Sequence, residues 1–252
     1  MTRTLLLRGM LAGFVAGLFV FAFARWIGEP QVDRAIAFET SIDQAKGEAP
    51  QPEMVSRKIQ KSFGLLIGAV VYSTALGGIF GLVFAYGRGR LSLARPRVFA
   101  AFLAAIGFIT VVLVPSLKYP ANPPSVGNPE TIGVRTEAYF LLIAISLTAM
   151  ILTVKVGRHL RKSLGTWNAS ILSALLFLGL VGLASHFLPP IDEVPAGFPA
   201  SLLWKFRIAS WETQAVLWSL LGLLFGWFTE RSEGVGGSQH QTSNSTKEMR
   251  YS

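Results

Sequence analysis

The stretch PSLKYPANPPSVGNPETIGVR, residues 115–135, decides how the chain must be read. Five of the chain's thirteen prolines fall between Pro115 and Pro129. Proline fixes φ and has no N–H to donate, so this density predicts neither helix nor inner strand. Apolar runs flank the stretch at residues 98–114 and 136–154. Each approaches the length that crosses a hydrocarbon core of about 30 Å. A stiff loop held between two such runs has to project from one face of a membrane. Two weaker versions of the arrangement follow the first and fifth apolar runs, as Gly28-Glu29-Pro30 and as Pro189-Pro190-Ile191-Asp192-Glu193. Every proline except Pro96 lies in one of these three connections. The pattern predicts three membrane hairpins whose structured loops share one side.

Composition points the same way. The chain is 252 residues long, 51% hydrophobic and only 15% charged, whereas a soluble domain carries about 25% charge. Six segments qualify as spans by length and hydropathy: 5–27, 63–86, 98–114, 136–154, 168–188 and 211–228. The fold class is therefore an all-α, polytopic integral membrane helix bundle, a single transmembrane domain over residues 1–228. The tail, 229–252, is poor in apolar residues and rich in Ser, Gly and Gln, and is expected to be disordered and cytoplasmic. Cysteine is absent, which excludes disulfides, thiolate metal sites and a cysteine nucleophile.

The formal charge of +9 reflects topology and not nucleic-acid binding. With the amino terminus in the cytoplasm, the inner segments hold thirteen basic and three acidic residues, leaving ten basic and eleven acidic outside. The two tight inner turns, 87–97 and 155–166, carry four basic residues each, as short cytoplasmic loops do. Both termini inside is consistent with six spans. Trp26, Trp204 and Trp211 then gather at the outer rim and Trp167 and Trp227 at the inner one, as interfacial anchors.

Along the chain, Gly9, Gly13 and Gly17 repeat once per turn on one face, and Gly64, Gly68, Gly77 and Gly81 punctuate the second run. Glycine at this spacing lets helices approach closely in lipid. Ala22-Phe23-Ala24 resembles a signal-peptide cleavage site, but the first run exceeds a signal core and reads as a retained helix. Tyr72, Ser73 and Thr74 are the polar residues at the middle of the second run, where hydroxyls usually bond to helix backbone. Between the first two runs, Val32–Asp43 reads as a short surface helix gathering Asp33, Glu39 and Asp43, either a solvated cover or a cation-collecting face. Gly47–Pro52 reads as a flexible break.

No apolar run carries a charge at its middle, so candidate metal ligands lie at the outer mouth: Glu29, Asp33, Glu39, His186, Asp192 and Glu193. His159 and His240 have no carboxylate partners nearby in sequence, whereas His186 stands six residues before Asp192. Glu137 and Glu212 head returning helices, where the helix dipole alone favours a carboxylate. Arg57, Arg135 and Arg207 lie at the same level, so the acids could equally be paired and pin the hairpins together. Transition-metal cations favour imidazole or thiolate, which leaves this chain short of ligands by itself. There is no Gly-x-Ser-x-Gly, no His-Glu-x-x-His and no Walker lysine loop, so the chain reads as neither an enzyme nor a user of ATP.

The segments RGMLAGFVAGL, GEPQVDRAIAFE, VPSLKYPANPPSVGNPETIGVRT and DEVPAGFPASLLWKFRIAS with TQAVLW resemble the CbtA family of predicted cobalt transporter subunits, over residues 8–226. The resemblance implies a bacterial inner-membrane protein, Co²⁺ as substrate with no permanently bound cofactor, expression linked to cobalamin status, and a small single-span companion rich in histidine. Its motif residues map onto Glu29, Asp33, Glu39, Lys118, Tyr119, Asn122, Arg135, Asp192, Glu193, Arg207 and Gln214. With Glu137 and Glu212, the non-acidic members of this set form the expected structural or gating group at the outer mouth. The family is described with five spans, whereas this sequence reads as six. Three functions stay open: Co²⁺ uptake together with the companion, a membrane scaffold that moves nothing, and transport of another divalent cation such as nickel.

Overall fold

Hydrocarbon offers a backbone no hydrogen-bond partner, so a chain of this composition must satisfy its own N–H and C=O groups locally. The structure, a computed structural model, describes residues 2–47, 55–88, 90 and 95–248, with side chains as far as Ser232. Among the described residues the elements are all helical. They are α1 (Thr2–Phe23), α2 (Glu29–Lys46), α3 (Arg57–Ile59), α4 (Leu65–Gly87), α5 (Pro96–Gly107), α6 (Val114–Lys118), α7 (Ile132–Phe187) and α8 (Ala200–Glu248). Most of the expected break at Gly47–Pro52, much of the turn at 87–97 and the far end of the tail lie outside the described residues.

Five helical stretches are long and apolar enough to cross a membrane: Thr2–Lys46, Arg57–Gly87, Pro96–Lys118, Pro129–Phe187 and Ala200–Ser232. Only 28–39% of their most apolar windows is buried within the protein. Side chains such as Phe14, Ile67, Ile79, Leu175 and Leu178 are left exposed. In water such apolar faces would be an aggregation hazard; against lipid tails they are in their own solvent.

Two expectations about proline are corrected. The first run does not end at Pro30, nor the third before Pro115, because helix passes through both. A π-helical turn, Ala24–Gly28, joins α1 to α2, and a second, Phe108–Leu113, joins α5 to α6. A proline ring in a helix clashes with the carbonyl four residues earlier. For Pro30 that residue is Trp26 and for Pro115 it is Val111, each inside its widened turn. The extra residue makes room for the ring and keeps the helix whole. The irregular part of the central stretch shrinks to Tyr119–Asn128, ahead of a 3₁₀ turn at Pro129–Thr131. A third π-helical turn, Gln60–Gly64, has no proline behind it.

The span count of five, against six expected, arises because residues 136–154 and 168–188 fall within the one element α7. Gly165, at φ 71° and ψ 171°, interrupts that element with non-helical backbone. Ala149 and Phe177 share one buried cluster, although a straight helix would set them about 42 Å apart. A side chain on Gly157 would strike Ser173. The two halves of α7 therefore double back on each other at Gly165.

The chain divides into two compact units. The first comprises residues 1–26, 53–106 and 213–252 and is organised on the α1–α4 seam. A Cβ at Gly9 would overlap the Gly77 carbonyl, one at Gly13 the Ser73 carbonyl, and one at Gly81 the Leu5 carbonyl. Nothing but glycine fits, and backbone meets backbone. Gly68, by contrast, has nothing within 4 Å, and Gly64 meets only its own helix, so these two are not part of the seam. Ala16, Val20 and Leu217 pack beside it with Ala69 and Leu76. At the other end Phe84 stacks with Phe225 and Phe99, each at 4.8 Å between centroids.

The second unit comprises residues 27–52 and 107–212. One of its clusters gathers the inner faces of α7 around Tyr119 and Val114. Another joins Ala35 of α2, Val126 of the central stretch, Phe198 of the last connection and Leu202 in the first turn of α8. Parts of all three proline-bearing connections are thus in one apolar cluster. The surface helix expected at Val32–Asp43 is part of α2, packed over that cluster and closed by a left-handed Gly47 at φ 72°.

The seam makes a direct prediction. Gly77→Ala should destabilise the protein by about 1–3 kcal/mol, the usual cost of overpacking, while Gly68→Ala should be near neutral. Thermal unfolding of the two variants in detergent micelles compares them.

Candidate functional site

The second unit holds every candidate residue except Gln214, and its three proline-bearing connections meet as a cap. Its centre is Glu193, on the connection that follows α7. The Asn128 N–H donates to Glu193 Oε2 at 2.9 Å, and Arg135 Nη1 donates to the same oxygen at 2.8 Å. The Thr131 hydroxyl donates to Oε1. One carboxylate thereby accepts from a backbone amide, a hydroxyl and a guanidinium, all from the segment that opens α7. The Thr131 and Asn128 donors and the Arg135 charge together hold its carboxyl below the usual carboxylate range.

Local sequence explains the receptor. The Asn128 side chain accepts from the Glu130 N–H at 3.0 Å and caps the 3₁₀ turn, with Pro129 as its first residue. This leaves the Asn128 N–H free to point at Glu193. Gly127 has φ 125°, and a Cβ there would run into the Arg135 guanidinium. Glycine is needed on both counts.

Two further ties join the same connections. The Tyr119 hydroxyl donates to the Pro189 carbonyl at 2.9 Å. Arg207 Nη2 donates to Asn122 Oδ1 at 3.2 Å, and the exposed Asp192 acts on the same guanidinium electrostatically. Lys118 ends α6 with its ammonium 5.9 Å from the Tyr119 ring centre. The expected pairing with an acid of the last connection is present for Arg135, which meets Glu193, whereas Arg207 bonds to the neutral Asn122.

The remaining candidates are dispersed. Glu29 is buried in the first turn of α2 at 8% exposure; Asp33 and Glu39 are half-buried further along it. Glu29 and Asp33 both hold partners. His186 is exposed near the end of α7, its ring edge-on to Phe187 at 5.4 Å. Glu137 and Glu212 are exposed on α7 and α8. Gln214 lies in the first unit. Among the described residues no three His, Asp or Glu side chains come close enough to hold a metal ion. Of the six expected metal ligands, Glu193 has both oxygens engaged, and ligation there would have to displace Arg135.

A family model described as a probable cobalt transporter subunit matches residues 2–230. The chain belongs to the CbtA family. The match takes in the helices of both units and the whole cap, so the CbtA assignment covers the described side chains almost to their end. No curated protein and no solved structure matches the chain. As a CbtA protein with five apolar helical stretches, it is a multi-pass membrane protein and a probable cobalt transporter subunit.

Asn128 and Thr131 are functional partners the sequence reading passed over. Asn-Pro-Glu-Thr is a capping signature, and it marked an ordered turn with amide and hydroxyl donors to spare. What it could not supply was the acceptor, sixty-odd residues away.

The latch is testable by substitution and by pH. Gly127→Ala should cost about 1–3 kcal/mol, because it adds strain at positive φ and displaces Arg135. The folded carboxyl of Glu193 lies below its unfolded value of 4.5. Its contribution is therefore full above that pH and is lost as pH falls through the lowered value. Thermal unfolding scanned from pH 7 to pH 3 should show this acid-sensitive component in the wild type and not in Glu193→Gln.

Proposed function

We propose that this chain is the membrane subunit of a Co²⁺ uptake transporter of the bacterial inner membrane, its cap forming the extracytoplasmic mouth. The family match over residues 2–230 carries the reading, because it spans the cap and both sets of helices. Six spans in three hairpins, with both termini cytoplasmic, agree with the doubling back of α7 at Gly165 and with the Arg-rich turns. A reporter fused after residue 232 should then be active only in its cytoplasmic form.

The cap favours a division of labour. Its acids are paired or scattered, and among the described residues no three-ligand group exists. A small single-span companion rich in histidine would supply the imidazoles that Co²⁺ prefers. The companion captures the metal outside, and Asp192 with the acids of α2, Glu29, Asp33 and Glu39, receives it on oxygen. Glu193 holds the last connection in place rather than binding metal. No permanently bound cofactor and no catalytic step is required.

The same scarcity of ligands favours a second reading, a scaffold or assembly subunit whose cap is a docking face. Uptake of radioactive cobalt by cells expressing the chain with and without its companion separates the two. Transport predicts that Asp192→Asn and Glu29→Gln abolish accumulation at unchanged protein level, and that nickel competes poorly. Wild-type accumulation by both variants, with cap deletions only preventing complex formation, would establish the scaffold.

A further inference from the structure

The acids of α7 and of the connection after it stay near the cap, and the far end of the hairpin is basic. No Asp or Glu occurs between Glu137 and Asp192. Within that interval the first half of α7 ends on Lys155, Arg158, Arg161 and Lys162, all exposed ahead of the reversal at Gly165. At 3.6 residues per turn, Arg158, Lys162, Lys155 and His159 fall within an arc of about 100°. The opposite side of the helix carries Thr153 and Gly157, both buried. Gly157 is where Ser173 of the other half approaches, so the basic arc faces away from that half. Lys155, Arg161 and Lys162 have no ion-pair partner among the described residues.

The other basic turn differs. There Arg90 donates to the Tyr86 carbonyl at 2.7 Å and lies 4.2 Å from that ring's centre, and Arg97 pairs with Glu230. Its guanidiniums are engaged within the protein. Along α7, by contrast, Lys155 lies about 30 Å from Arg135, which is the thickness of the hydrocarbon core and sets Lys155 at its edge. Trp167, 78% exposed just past the reversal, is an interfacial residue at the same end.

Beside the basic arc, on its hydrocarbon side, α7 leaves an apolar groove. Ala144, Ile145, Thr148, Ala149 and Leu152, with Leu180 from the second half, line an open cavity of about 280 Å³. The Thr148 hydroxyl donates to the Ala144 carbonyl at 2.8 Å, so its polarity is satisfied within the helix. Thr148 stands two turns before Lys155 on the same face, and Leu152 stands one turn before it. Groove and charge are therefore continuous. A free phosphate would meet the charge and leave the groove uncovered. A zwitterionic lipid would fill the groove and bring a cation to the basic arc. A lipid with a net anionic headgroup matches both.

We propose that this face of α7 binds an anionic glycerophospholipid, its phosphate at Lys155, Arg158 and Lys162 and an acyl chain in the groove. The site stands whether or not the chain moves cobalt. Native mass spectrometry of the full-length protein from detergent micelles tests it, with dioleoyl phosphatidylglycerol and dioleoyl phosphatidylcholine as probes that share their chains. A basic side chain near a membrane surface is worth about fivefold in affinity for anionic lipid. The wild type should retain phosphatidylglycerol at least ~5-fold better than phosphatidylcholine. Lys155→Gln with Lys162→Gln should remove that preference, and Lys155→Arg with Lys162→Arg should keep it. Arg88→Gln with Arg90→Gln, which removes equal charge from the other turn, should leave it unchanged. Thr148→Phe, at an exposed position, should weaken retention of both lipids by filling the groove. Equal retention of the two lipids by the wild type would overturn the proposal. So would equal losses in the two glutamine variants, which would mean net charge alone, or displacement of the lipid by inorganic phosphate at matching concentration. Unchanged retention by Thr148→Phe would overturn the placing of the acyl chain.

Discussion

Everything in this chain follows from a solvent that returns no hydrogen bonds. A backbone amide or carbonyl that loses its helical partner inside hydrocarbon has nowhere to turn. Helices must therefore continue where a soluble protein would stop. The prolines show the consequence. Pro30 and Pro115 would each break a helix, yet each is preceded by a π-helical turn that houses its ring, and the helix goes on into the cap. The cap is thus an extension of the spans, and its helical part is as regular as theirs.

The same constraint decides how helices associate. Lipid tails compete on equal terms with leucine, so close packing and not apolar burial has to bring helices together. Gly9, Gly13, Gly77 and Gly81 provide it by letting α1 and α4 touch through their backbones. Polar side chains are then free to concentrate where water returns. Glu193, Arg135, Thr131 and Asn128 tie the last connection to the start of α7, and Tyr119 and Arg207 reinforce that tie. A single apolar cluster of Ala35, Val126, Phe198 and Leu202 draws the three connections together.

Much of this was legible in the residues. Composition and the length of the apolar runs gave the helical membrane fold, and the glycines of the first run gave its closest contact. Proline density marked the cap, and the resemblance of its segments led to the right family. What stayed hidden depended on distance or on local geometry. Nothing near Glu193 in sequence says that its donors lie at residues 128–135. Nothing near Pro30 says that a widened turn precedes it. Spacing also could not tell Gly77, which meets another backbone, from Gly68, which meets nothing. Counting spans by apolar runs gave six, whereas counting helical elements gives five, because Gly165 bends one element without ending it. Sequence also could not say which acids converge: among the described residues no three His, Asp or Glu side chains come together.

The central claim is that three distant connections close into one cap on the outer face. Its most direct test is a cross-link. With no native cysteine to interfere, Val126→Cys and Phe198→Cys can be joined by a short bismaleimide in intact cells. The account predicts an intramolecular cross-link that a membrane-impermeant thiol reagent, added first from outside, prevents. No cross-link, or one that only a membrane-permeant reagent can block, would contradict it.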